Sequence, residues 1–190
     1  DGLRELTSIQ VDPNNPNYSS QDGVLYSKTR QKILRYPPKK SGSSFEIPAE
    51  VTEIAPMAFD GSELQVINIP SSVVSIGVYA FTWCTNLTTL NIPASVKSIG
   101  LSLGGPNGNY MPSLTGVYVD EANVEYSSQD GVLFDKNKSS LIFYPMNKSG
   151  SSYAIPAGVN HVGECAFAYS RKLSHISIPP TVSSIGSDAF

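Results

Sequence analysis

Leu64–Asn86 reads LQVINIPSSVVSIGVYAFTWCTN, and at Leu87 the pattern begins again as LTTLNIPASVKSIG. Two apolar rules define the unit. In the first, a Leu is followed by apolar residues three and five positions on: Leu6/Ile9/Val11, Leu64/Ile67/Ile69, Leu87/Leu90/Ile92, Leu114/Val117/Val119 and Leu173/Ile176/Ile178. Alternation at the last two positions is the period-two signature of a short strand with one buried face. In the second, an isoleucine before proline is followed by apolar residues four and seven positions on: Ile47/Val51/Ile54, Ile69/Val73/Ile76, Ile92/Val96/Ile99, Ile155/Val159/Val162 and Ile178/Val182/Ile185. Four of these runs reach an Ala-Phe pair, at Ala58-Phe59, Ala80-Phe81, Ala166-Phe167 and Ala189-Phe190. Proline has no amide to donate and a fixed φ, so Pro48, Pro70, Pro93, Pro156 and Pro179 mark strand ends. Gly77, Gly100, Gly163 and Gly186 fall at a corner where a side chain would be crowded. Ala-Phe is expected to pack inward from a short helical or 3₁₀ turn.

A unit of about 23 residues lies in the range of repeat architectures. One unit cannot bury its apolar face alone, but stacked units form a continuous core, with parallel strands ~4.8 Å apart. The expectation is a right-handed, strand-rich α/β solenoid of about seven rungs.

A larger duplication overlies the small repeat. YSSQDGVL at Tyr18–Leu25 recurs at Tyr126–Leu133, and KSGSS at Lys40–Ser44 recurs at Lys148–Ser152, both offset by 108. One domain over 1–190 is expected, with module copies at about 6–81 and 114–190 joined by a plain repeat and irregular loop at 82–113. In each copy two strand-like runs, Gly23–Tyr26 with Lys32–Pro37 and Gly131–Phe134 with Ser140–Pro145, predict an inserted β-hairpin. Where Ala-Phe should follow Ile99-Gly100, the chain instead reads LSLGGPNGNYMPS, Leu101–Ser113, which predicts a protruding loop.

Composition narrows the function classes. Charged residues make up 15% of the chain and the net charge is −3, so there is no basic footprint for nucleic acid. No apolar run approaches the roughly 20 residues a membrane span needs. The chain begins without Met and ends at Phe190 inside a recognisable unit, as expected of a piece of a larger or processed protein.

The repeat LQVINIPSSVVSIGVYAFTWCTNL at Leu64–Leu87, together with YSSQDGVLYSKTRQKILRYP at Tyr18–Pro37, resembles the BspA-like, or Treponema pallidum-type, leucine-rich repeat family. The resemblance covers nearly the whole chain. It implies a leucine-rich-repeat horseshoe segment, carried in large cell-surface or secreted proteins and associated with adhesion to host proteins and neighbouring cells.

Residues that could carry chemistry have plainer explanations. His161 and His175 are the only histidines; His161 falls at a tolerant polar position of the repeat and His175 aligns with Val66 and Thr89, so both read as solvated surface side chains and no nucleophile, base and acid constellation is visible. Cys84 and Cys165 read as packed free thiols. Three rungs at ~4.8 Å place them about 14 Å apart, twice the roughly 7 Å limit for a disulfide. Asp22-Gly23 and Asp130-Gly131 are turn chemistry, with no spaced carboxylates to hold calcium. No cofactor or metal is called for, and no enzymatic activity is expected.

A more informative row lies on the strands. The residue between the last two inward positions points outward, which strings Gln10, Glu46, Asn68, Asn91, Tyr118, Ala154 and Ser177 into a ladder. Gln10, Asn68, Asn91, Tyr118 and Ser177 are the candidate binding residues. Neutral amides and a tyrosine suit hydrogen bonding and stacking on an extracellular protein or glycan. The competing reading is a solvated sheet face on a passive structural spacer.

Overall fold

The computed structural model describes residues 3–100 and 110–190. The first part of the chain forms β1 (Tyr18–Gln21), β2 (Val24–Ser27), β3 (Lys32–Arg35), β4 (Ser44–Glu46), β5 (Glu53–Ile54), β6 (Val66–Asn68), β7 (Ser75–Ile76), β8 (Thr89–Ile92) and β9 (Ser98–Ile99). The second forms β10 (Gly116–Val119), β11 (Tyr126–Gln129), β12 (Val132–Asp135), β13 (Ser140–Phe143), β14 (Ser152–Ala154), β15 (His161–Val162), β16 (His175–Ser177) and β17 (Ser184–Ile185).

These strands make a β-solenoid of about six turns, one fewer than the apolar pattern suggests. One series of parallel strands runs β3-β5-β7-β9 and, in the second module, β13-β15-β17. It aligns Ile33, Ile54, Ile76 and Ile99, then Leu141, Val162 and Ile185. The other series consists of the parallel pairs β4-β6, β8-β10 and β14-β16. Segments Leu64–Ile69 and Leu87–Ile92 are neighbours, joined through Gln65 O, which accepts from both the Thr88 amide and the Thr88 hydroxyl at 3.3 Å.

Each expected hairpin is a three-stranded antiparallel meander, β1-β2-β3 and β11-β12-β13. The extra strand is β1 or β11. Asp22 and Gly23 both have positive φ, 49° and 78°, as do Asp130 and Gly131 at 52° and 77°. That pair of conformations makes the tight two-residue turn that matches strand twist. YSSQ is therefore folded back onto VLYS, a pairing its polar composition conceals.

The Ala-Phe segments contain no helix. Their amides alternate between two uses. Ala58 N bonds back to Ala55 O, Asp60 N to Met57 O and Ser62 N to Phe59 O, while Met57 N, Phe59 N and Gly61 N reach across to Val78 O, Ala80 O and Thr82 O of the next rung. A 3₁₀ turn would consume all six amides locally. Positive φ at Met57 and Cys165 (56° and 53°) breaks the run and turns alternate amides toward the neighbouring rung, Cys165 N and Phe167 N reaching Ser187 O and Ala189 O; Tyr79 shares the conformation at 57°.

Inside the stack, Tyr36, Phe59 and Phe81 form one aromatic column with stacked centroids 5.6 and 5.7 Å apart, and Tyr144, Phe167 and Phe190 form another at 5.2 and 5.4 Å. Hydroxyls add a column outside the core: Ser72, Ser95 and Thr181 each donate to the preceding rung, at Val51 O, Val73 O and Val159 O. Glycine is required at the corners. A Cβ on Gly77 would lie 2.4 Å from Pro56 N, and one on Gly100 2.4 Å from Val78 N. The buried cluster of the first module continues into Leu133 and Phe143 of the second. Much of the irregular loop, residues 101–109, lies outside the described residues.

Candidate functional site

The outward ladder exists as three pairs rather than one line. Strand register sets Glu46 opposite Asn68, Asn91 opposite Tyr118, and Ala154 opposite Ser177. Asn68 Nδ2 donates to the Glu46 carboxylate. Tyr118 is 48% exposed, and its ring lies over Gly116, where a Cβ would come within 2.8 Å of it. Glycine two residues before the tyrosine thus opens a slot that lets the ring lie along the sheet. Beside the ladder, Thr115 Oγ1 donates to Thr88 O at 2.9 Å, and Thr88 Oγ1 to Gln65 O at 3.3 Å. Those hydroxyl protons are spent within the scaffold, as is an amide proton of Asn68 on Glu46, while Asn91 and the Tyr118 ring are exposed side by side.

Gln10 belongs to a different place. In Leu6–Val11, Ile9 N bonds to Gly23 O and Val11 N to Ser20 Oγ, as Val117 N and Val119 N bond to Gly131 O and Ser128 Oγ on either side of Tyr118, but among the described residues no strand pairs with this segment as β8 does with β10. Gln10 lines a cavity of about 250 Å³ together with Val11, Asp12, Asn15, Tyr18 and Leu25.

One feature escaped the repeat analysis. Trp83, Tyr110 and Tyr169 come together at the surface, with centroids 5.6 Å apart for the first pair and 5.8 Å for the second. The Arg4 guanidinium sits 5.3 Å from the Trp83 ring centroid, within cation–π range. Trp83 and Tyr169 each lie two residues after the Phe of an Ala-Phe pair, where the first module has Gly61, and all three positions have positive φ (54°, 60° and 75°). A bulky residue in a conformation that favours glycine costs of the order of 1–2 kcal/mol. The shared offset from Phe was visible in the sequence, but the placement of Tyr110 between the two rings was not.

Titratable groups do not converge. His161 Nδ1 pairs with Ser184 Oγ at 2.8 Å as a consequence of strand register, and His175 Nδ1 with its neighbour Ser174 at 2.9 Å. Cys84 Sγ donates to Phe59 O at 3.2 Å and lies 3.3 Å from Ser62 Oγ. Burial pushes its thiol up to about 12. Both cysteines are buried and free. Among the described residues no group of three or more His, Cys, Asp or Glu is placed to hold a metal ion, and no helix is long and apolar enough to cross a membrane.

A profile of the BspA type leucine rich repeat region, in six copies, matches residues 38–103 and 139–190, well over half of the chain. No curated protein matches it. Among solved structures, a leucine-rich repeat protein from Eubacterium ventriosum is similar over 78% of this chain and 44% of its own, at 26% identity and a TM-score of 0.67. The pneumococcal vaccine antigen PcpA is similar over 88% of this chain and 60% of its own, at 22% identity and a TM-score of 0.52. A leucine-rich repeat protein from Bacteroides ovatus is similar over 98% of this chain and 49% of its own, at 24% identity and a TM-score of 0.51. The chain therefore spans roughly half the length of these proteins, and the last two likenesses concern the fold.

Proposed function

Because the chain belongs to the BspA-type leucine-rich repeat family, we propose that it is a non-enzymatic recognition segment of a secreted or cell-surface protein. It acts as one folded unit and binds extracellular proteins or glycans, serving adhesion to host or neighbouring-cell macromolecules. The ligand surface is the polar strand face at Asn68, Asn91, Tyr118 and Ser177. The observation that carries this reading is the Asn91–Tyr118 register: an amide and a half-exposed ring sit side by side on paired strands, a combination suited to hydrogen bonding and stacking together. Neutral composition fits a ligand recognised by shape and hydrogen bonds, with little electrostatic steering.

The test is a binding screen against matrix proteins and glycans with the wild type and an Asn68→Ala, Asn91→Ala, Tyr118→Ala variant. Binding by the wild type and its loss in the variant supports the proposal. An absence of binding leaves the segment a spacer, and binding that survives the substitutions removes this face as the site.

A further inference from the structure

Among the outward pairs of the strand face, β8-β10 alone presents a tyrosine, and its ring is laid flat. A Cβ on Gly116 would have Cε2, Cζ and Oη of Tyr118 as its three nearest neighbours, each at 2.8 Å. No point in the plane of a phenol ring lies that far from all three atoms at once, so Gly116 sits beneath the face of the ring and not at its edge. Gly131 continues the seat, since a Cβ there would be 3.7 Å from the same hydroxyl. One face of Tyr118 therefore rests on glycine backbone, and the other faces outward and leaves the side chain half exposed.

Polar groups without partners border that open face. Asn91 and Thr89 stand opposite Tyr118 and Gly116 on the paired strand. Asn91 is exposed, and among the described residues neither its side-chain amide nor the Tyr118 hydroxyl has a hydrogen-bond partner. One rung further along the face, Asn68 gives one amide proton to Glu46 and keeps a second. None of these side chains is cationic, and Lys148, near the Asp130-Gly131 turn, gives its ammonium to Asp130 O.

The platform occurs once among the described residues. At the equivalent positions 108 earlier, the first module has Ser8 and Gln10. Pair β4-β6 presents Ser44 and Glu46 beside Val66 and Asn68, and β14-β16 presents Ser152 and Ala154 beside His175 and Ser177. The Trp83 cluster does not reproduce it, because the Arg4 guanidinium lies over the Trp83 ring and Tyr110 meets its two neighbours at 57° and 79°.

We infer that this platform is a subsite for an uncharged glycan, an inference that rests on the strand-face reading above and narrows it to one ligand class. The electron-rich face of a tyrosine attracts weakly positive C–H bonds. A hexopyranose groups such bonds on one side of its ring and carries hydroxyls around its rim. It stacks on Tyr118 while the rim reaches Asn91, an amide that both donates and accepts. The next sugar of the chain extends toward Asn68. A protein anchor is instead held in a pocket that desolvates it, whereas this ring lies along the sheet. With no free cation among the contacts, an acidic sugar gains nothing over a neutral one.

Saturation-transfer nuclear magnetic resonance tests this, with chitotriose, cellotriose and N-acetyllactosamine as neutral probes, sialylated N-acetyllactosamine as the acidic one, and dissociation constants from titration. At least one neutral probe should bind, with saturation strongest on the C–H protons of one pyranose face, and sialylation should not tighten binding. Tyr118→Ala should weaken it about tenfold or more, Asn91→Ala about fivefold, and Tyr118→Phe by less than about fivefold. Gly116→Ala is the sharper test, because it removes no group that touches the sugar. The added Cβ meets the far end of the Tyr118 side chain, which must swing off the sheet, so binding should fall as in Tyr118→Ala while the melting temperature stays near wild type. Trp83→Ala should leave binding unchanged. Silence of every neutral probe, binding that survives Tyr118→Ala or a folded Gly116→Ala, loss of binding in Trp83→Ala, or a sialylated probe held about tenfold more tightly would each overturn the inference. A matrix protein bound through Asn68, Asn91 and Tyr118 with every sugar silent would overturn the glycan assignment and leave the strand-face reading standing, and no binding of either kind would remove both.

Discussion

Asn15 and Asn123, equivalent positions of the two module copies at an offset of 108, make a matched pair for measuring what a neighbouring rung contributes. Asn123→Ala removes four hydrogen bonds at a fully buried site, two to Pro93 and Val96 carbonyls and two from Glu125 and Tyr126 amides. At a net ~1 kcal/mol each, the loss is about 4 kcal/mol, more if water cannot reach the stranded carbonyls. Asn15→Ala removes only the two amide bonds of its own turn, in a more exposed setting, and should cost about 1–2 kcal/mol. The difference of about 2 kcal/mol or more isolates the bonds to the preceding rung. For a chain of this length each kcal/mol moves Tm by about 2–4 °C, so the two melting curves should separate by at least about 4 °C. Equal losses in the two variants, or a larger loss at Asn15, would refute the claim that the modules differ by the rung covering them.

Other substitutions probe the stack at separate levels. By urea titration, Phe59→Ala, which deletes a buried ring held between Tyr36 and Phe81, should cost about 3–5 kcal/mol, whereas Phe190→Ala, at a 59% exposed position, should cost under about 1 kcal/mol. Gly77→Ala drives a Cβ into the backbone of Ala55 and Pro56 and should destabilise by a few kcal/mol, of the order of 1–3. Gly158→Ala, whose Cβ would meet nothing closer than Lys138 O at 3.9 Å, should be near neutral, and equal effects would contradict the close approach of rungs at Gly77. Thiol titration at pH 8 should find Cys84 and Cys165 unreactive in the native chain and both reactive in denaturant. Cys84 is raised from 9.0 to about 12 on folding, so its contribution to stability is complete below pH 9 and declines from there toward pH 12. A native thiol that reacts at once would place it outside the core.

The apolar spacing carried most of the fold because it is a direct record of which side chains face the axis. Ile54, Ile76 and Ile99 align in register, and Phe59, Phe81 and Phe167 are buried, as their positions in the repeat require. Turn conformation was less legible. Met57, Tyr79, Trp83 and Tyr169 adopt positive φ that their side chains disfavour, and at Met57 and Cys165 the amide is held by a carbonyl of the next rung, Val78 O and Ser187 O, some 22 residues away in sequence. The strands of YSSQ were missed for a related reason: Ser and Gln carry no apolar period, and only the turn at Asp22-Gly23 folds them onto Val24–Ser27. Asn68, Asn91 and Tyr118 lie on the strand face the repeat assigns to them, but Gln10 does not join them, because among the described residues no strand pairs beside it as β8 pairs beside Tyr118. The aromatic group of Trp83, Tyr110 and Tyr169 is assembled by packing of the linking stretch 82–113 against the second module, which no single repeat encodes.

Ligand mapping by nuclear magnetic resonance on isotope-labelled protein, with a protein or glycan selected in the binding screen, tests the proposed role most directly. Titration should shift the side-chain amides of Asn68 and Asn91 and the ring signals of Tyr118, leaving Trp83 and Tyr169 unmoved. Shifts confined to Trp83, Tyr110 and Tyr169, with the strand face silent, would contradict the account.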